Sequence, residues 1–111
     1  MDLSLELDGH RATIRATGYL SLQASENLSI LLRDLGRMDI VELYLDISQC
    51  SPVCVGALET LLETKFRLAS EGVALVFSRP PQAVSRVFQI MGLGANGELP
   101  TEGASLKRGN S

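Results

Sequence analysis

The chain has 111 residues, 45% of them hydrophobic and 21% charged, with a net charge of −3. That length suits one domain able to bury roughly two thirds of its unfolded surface, and the composition excludes disordered and collagen-like chains. With no Trp, two Tyr, three Phe and an acidic balance, neither base stacking nor phosphate-backbone binding is provided for, so nucleic acid is not expected as a partner.

Two cysteines and one histidine are too few for a structural zinc site or a disulfide scaffold, so no metal and no cofactor is expected. Residues 1–8 lack the basic flank and apolar block of a signal peptide, and no run of 18 apolar residues exists. The expected location is the cytoplasm, without direct membrane insertion.

Leu3 to Leu7 alternates Leu, Ser, Leu, Glu, Leu, which predicts an amphipathic strand with three leucines on one face. Asp8-Gly9 supplies a turn, and Ala12, Ile14 and Ala16 alternate with polar residues up to Thr17. A hairpin ended by Gly18 is the simplest reading. Between Ser21 and Arg37, Ala24, Leu28, Leu31, Leu32 and Leu35 fall at helical spacing, with Ser21 as N-cap and Gly36 near the end.

Ile40 to Ile47 reads as a buried central strand. Ser51-Pro52 then matches an N-cap followed by proline at the first helical position. Leu58, Leu61, Leu62, Phe66 and Ala69 mark the inner face of a long helix closed by Gly72. Val73 to Ser78 is a second buried strand. After the break at Pro80-Pro81, Val84, Val87, Phe88 and Met91 predict a third amphipathic helix stopping at Gly92.

Residues 94–111 hold four of the ten glycines and predict a weakly structured tail with at most a short edge strand and a turn capped by Thr101-Glu102. The order β-β-α-β-α-β-α over residues 1–93 gives a single α/β domain, with helices packed on a mixed sheet of four to five strands. Leu45, Leu58, Leu62, Val76 and Phe88 are expected to share its core.

The most informative segment is Asp46-Ile47-Ser48-Gln49-Cys50-Ser51-Pro52-Val53-Cys54-Val55-Gly56-Ala57-Leu58, where a buried strand runs into a long helix. Helix N-termini expose unpaired N–H groups and are common places to hold an anion or meet a partner. Here the chain resembles the STAS domain, the family of bacterial anti-sigma factor antagonists and of cytoplasmic domains of sulfate transporters. The resemblance rests on Gly18-Tyr19-Leu20, on Leu43-Tyr44-Leu45-Asp46-Ile47-Ser48, on Gly72 before the next strand, and on Phe88-Gln89-Ile90-Met91-Gly92-Leu93.

In that family an Asp-Leu-Ser strand end is followed five residues later by Asp-Ser-Ser/Thr-Gly-Leu, whose second hydroxyl residue a partner kinase phosphorylates. Asp46, Ile47 and Ser48 fit the first part. In register, Cys54 stands at the family's Asp, Val55 at the first Ser, Gly56 at the phospho-acceptor, Ala57 at the Gly and Leu58 at the Leu. Gly56 has no hydroxyl. The resemblance therefore implies a non-enzymatic domain that binds a kinase-type anti-sigma factor without the usual switch, through Ser51, Pro52, Val53, Cys54, Val55, Gly56 and Ala57. Ser48 and Ser51 are the alternative phospho-acceptors, although a serine at a helix start is usually only a cap.

An alternative within the same family is an accessory subunit of an ABC transport system that binds its ATPase. A third reading, from a different class, is a thiol-based redox protein using Cys54. Cys50 and Cys54 could share a face if both were helical, but the spacing is not Cys-x-x-Cys. His10 reads as a solvated turn residue. Glu59, Glu63 and Glu71 interleaved with Lys65 and Arg67 read as a solvated helix face. No Gly-rich loop has the strand, spacing and lysine of a nucleotide site, so an enzyme is not expected.

Overall fold

The computed structural model of the chain describes residues 1–99. Its elements are β1 (Asp2–Asp8), β2 (Arg11–Leu20), α1 (Leu22–Gly36), β3 (Glu42–Val53), α2 (Val55–Ser70), β4 (Ala74–Ser78) and α3 (Gln82–Ile90). The four strands make one mixed sheet in the spatial order β1-β2-β3-β4. β1 and β2 are antiparallel, while β2–β3 and β3–β4 are parallel. The α/β architecture and its element order are those the sequence predicts.

Local chemistry accounts for the first half. Gly9 takes a positive φ of 61° at the first central position of the two-residue hairpin turn, as in a type II′ turn. Gly18 does not end β2. The strand continues to Leu20, with irregularities in its pairing to β3 on either side of Gly18. Ser21 caps α1 by accepting the Ala24 N–H at 3.1 Å, which satisfies one of the helix's orphan donors.

Helices cover one face of the sheet. Ala12, Ile14 and Ala16 of β2, Leu43, Leu45 and Ile47 of β3, and Leu75 and Phe77 of β4 are buried on that face. They meet Leu28 and Leu32 of α1, Leu58, Leu61 and Leu62 of α2, and Val84 and Phe88 of α3 in one core. The other face is polar: Arg11 pairs with Glu42 at 3.3 Å and lies 4.9 Å above the Tyr44 ring.

Three core assignments are corrected. Val76 is only half-buried, because it pairs with Tyr44 on the polar face while its neighbours Leu75 and Phe77 point inward. Phe66 is 46% exposed and Ala69 is also exposed; the inner line of α2 runs instead through Leu61, Leu62, Lys65 and Leu68. Lys65 is thus buried rather than solvated, and its Nζ donates to the Leu75 carbonyl at 2.7 Å. That carbonyl lies on the outermost strand, where backbone groups need a donor from outside the sheet.

A buried pair of hydroxyls, Ser29 and Thr64 at 2.6 Å, joins α1 to α2 with their polar groups satisfied. After α3 the chain makes a turn in which Gly94 N–H donates to Glu98 O and Gly97 N–H to Gly94 O, both at 3.0 Å. Gly97 is buried at positive φ, and a Cβ there would come 2.9 Å from the Phe77 ring. Only glycine fits that contact. The expected last turn at Thr101-Glu102 lies outside the described residues.

Candidate functional site at the strand-to-helix junction

β3 does not stop at Ile47. It runs on beside β2, pairing Thr17 with Gln49, Gly18 with Cys50 and Leu20 with Val53, and the Cys54 N–H donates to the Leu20 carbonyl at 2.9 Å. Ser51 and Pro52 are therefore exposed strand residues, joined by a cis peptide bond. The expected N-cap at Ser51 is corrected to Cys54, which has extended dihedrals and makes no side-chain cap hydrogen bond. Pairing with a strand some thirty residues away overrides the local capping signal.

At the helix start Val55 is 52% exposed, Gly56 is half-buried and Ala57 is fully buried. Ala57 is corrected from surface to core, since the third helical position points at the sheet. An ideal Cβ on Gly56 would sit 3.7 Å from Cys54 Sγ and 3.9 Å from Leu22 Cδ1. Leu22, 48% exposed, therefore extends the apolar surface beyond the junction.

Beside this surface lies a groove of about 290 Å³. Pro52, Val53 and Val55 form one side, Pro81, Ala83 and Val87 the other, and Cys50, Leu58 and Val84 also line it. The α3 side is absent from the sequence reading. Its only sequence signal is Ala83 and Val87 at helical spacing after the Pro80-Pro81 break, a pattern indistinguishable from ordinary core packing.

The cysteines do not form a pair on one helix. Cys50 is in β3, buried, with its Sγ 3.4 Å from the Ala16 carbonyl; burial, helped by the charge of Asp46, pushes its thiol pKa up. Cys54 is half-buried at the N-cap. Both are free. No group of three His, Cys, Asp or Glu able to hold a metal exists among the described residues. His10 is exposed in the turn, its Nδ1 2.9 Å from the Asp39 carbonyl.

Asp46 organises the end of β3. Its buried carboxylate accepts the Ser48 N–H at 2.9 Å and Arg79 Nη2 at 2.6 Å, with Arg15 Nε at 3.8 Å. Burial alone raises its pKa, but hydrogen bonds from Arg79 and Ser48 outweigh it and bring the carboxyl down to about 2. Arg79 sits at φ 50°, so this bond fastens β3 to the turn that carries Pro81 and α3. The Ser48 Oγ is buried, whereas Ser51 is exposed.

Because the folded-state pKa is depressed, the stabilisation from Asp46 is present at neutral pH and is lost as pH falls toward about 2. Asp46→Asn is expected to lower stability at neutral pH by about 2 kcal/mol. Urea melts of both proteins check this, and the gap should close as the pH approaches the Asp46 pKa.

The family model described as Mlab, STAS domain, matches residues 3–101. The chain belongs to the STAS domain family. Among solved structures, this STAS domain is similar to the anti-sigma factor antagonist SpoIIAA in its unphosphorylated form, with a TM-score of 0.72, 19% identity and 99% of each chain covered. The phosphorylated form of SpoIIAA, a Bacillus cell fate determinant, matches with a TM-score of 0.68 and 17% identity over 82% of this chain and 84% of that one. Mglu matches 71% of the chain at a TM-score of 0.64 and 22% identity, and the chain spans a fifth of its length. These likenesses establish the fold. Comparison with curated proteins finds no match. No helix among the described residues is long and apolar enough to cross a membrane.

Proposed function

We propose that this STAS domain is a non-enzymatic regulatory module that binds a protein partner at the β3–α2 junction, in the cytoplasm, without a phosphorylation switch at the helix start. One observation carries the reading: an apolar groove adjoins a helix start whose residues 53–58 contain no hydroxyl. A dry surface next to small residues lets a partner backbone approach closely. The surface comprises Pro52, Val53, Val55 and Gly56 together with Leu22, Pro81, Ala83 and Val87, with Ser51 at its rim and Ala57 beneath it.

The partner is a kinase-type anti-sigma factor, as in the antagonists that the chain resembles. The missing hydroxyl also favours a second reading, a standing subunit of a transport ATPase, because a contact with no acceptor at Gly56 stays engaged. Both partners bind ATP. Affinity purification from the source cells separates them: a serine kinase supports the first and a transport ATPase the second. A chain recovered without a partner and with Cys54 oxidised supports the redox reading instead.

Incubation with the recovered kinase and ATP is expected to leave residues 53–58 unmodified by mass spectrometry. A phosphate on Ser51 would show that the switch has moved and would overturn the constitutive reading.

A further inference from the structure

Among the described residues β1 is an edge of the sheet, paired with β2 alone. Asp8 and Arg11 close the hairpin turn and form a hydrogen-bonded pair, so the alternation of the antiparallel ladder turns the N–H and C=O groups of Leu7, Leu5 and Leu3 away from β2. Among the described residues these groups have no backbone partner outside the sheet. The side chains of the same leucines lie opposite Ala12, Ile14 and Ala16 on the helix-covered face. They remain 46–57% exposed, because α1 packs over β2 and β1 extends beyond its cover.

The opposite face of β1 carries Asp2, Ser4, Glu6 and Asp8. The arginines across the strand, Arg11 and Arg15, are drawn to Glu42 and Asp46 of β3. No ion pair reaches Asp2, Glu6 or Asp8 among the described residues. One strand thus offers unpaired backbone, an uncovered leucine row and an unneutralised acidic row.

We propose that this edge accepts an extended segment of a protein partner whose residues alternate apolar and basic. Such a segment continues the sheet through main-chain hydrogen bonds. Its apolar residues pack beside the leucines and its Lys or Arg residues beside the acids. A second copy of the chain fits worse: antiparallel self-pairing centred on Leu5 sets Asp2 against Asp8 at both ends, and like charges directly opposite are unfavourable. β1 and β4 are opposite edges of the sheet, so this site is separate from the groove walled by α3.

The test uses the full chain and a blocked heptapeptide, Val-Lys-Val-Lys-Val-Lys-Val, with Val-Glu-Val-Glu-Val-Glu-Val as comparator, read by amide hydrogen exchange in NMR. The basic peptide is expected to slow exchange at Leu3, Leu5 and Leu7 by about ten-fold or more, and the acidic one to leave it unchanged. Asp2→Lys combined with Glu6→Lys, both exposed changes, should weaken binding of the basic peptide by about ten-fold. Gly56→Arg should not affect it. Absence of slowing at the three leucines, equal slowing by the acidic peptide, or slowing confined to the groove would overturn the proposal. Slowing that rises with protein concentration without peptide would assign the edge to a second copy, and would overturn it too.

Discussion

Phe88→Ala is expected to destabilise the domain by about 3–5 kcal/mol, the cost of deleting a buried ring that its surroundings cannot refill. Phe88 is fully buried and its ring lies 5.2 Å from that of Phe77, tilted at 42°. The turn at Gly97 packs on both rings, so the cavity would open between three separate segments. α3 has only nine residues and two buried side chains, Val84 and Phe88. A helix that short has little stability of its own, so it depends on these anchors. Denaturant melts check the magnitude. Hydrogen exchange should show α3 opening well before the central strands, and partner affinity should fall as the groove loses a wall. A loss below about 1 kcal/mol would mean that α3 is held mainly by Val84 and the Asp46–Arg79 link.

Gly56→Arg is expected to lower partner affinity by at least about a hundred-fold while the domain stays folded. A Cβ at this position meets only ordinary contacts, and replacing a helical glycine removes an unfavourable backbone entropy of roughly 0.5–1 kcal/mol. A cation at a helix start costs about as much through the macrodipole, roughly 0.3–1 kcal/mol, so the two nearly cancel. In the complex the guanidinium would be desolvated against Leu22 and Val55 without a partner, which costs several kcal/mol. Gly56→Ala, with the same backbone gain and little bulk, should bind nearly normally. Glu71→Arg, at the far end of α2, is the control for added charge. Affinity and thermal unfolding measured on each variant decide the matter. Normal affinity in a folded Gly56→Arg protein would remove the helix start from the contact.

Much of the architecture is legible in short stretches of sequence. The leucine alternation with Asp8-Gly9 specifies a hairpin because strand period and turn chemistry are both local. Ser21 and the Leu28, Leu32, Leu35 spacing specify α1 for the same reason, and in each case the expected element is the one observed. That residues 53–58 contain no hydroxyl is likewise plain from residue identity alone.

The errors fall where distant strands decide between equal local options. Val73 to Ser78 offers two apolar parities, and only the pairing of Leu43 with Leu75 puts Leu75 and Phe77 inside and Val76 outside. Lys65 looks like one charge among several on α2, yet an outer-strand carbonyl at Leu75 draws it into the interior. The groove is walled by Pro52, Val53 and Val55 on one side and by Pro81, Ala83 and Val87 on the other, so no short sequence window contains both of its sides.

Ser51-Pro52 shows the limit most directly. As a local problem it is a good helix start, and in the folded chain it is strand, because hydrogen bonding and pairing to β2 as far as Leu20 keep this segment extended until Cys54. Residue chemistry determined which elements exist and that residues 53–58 carry no hydroxyl. Tertiary pairing determined where β3 ends, which side chains α2 presents, and that α3 walls one side of the groove, since those outcomes depend on contacts between segments whose separation along the chain exceeds the reach of any local signal.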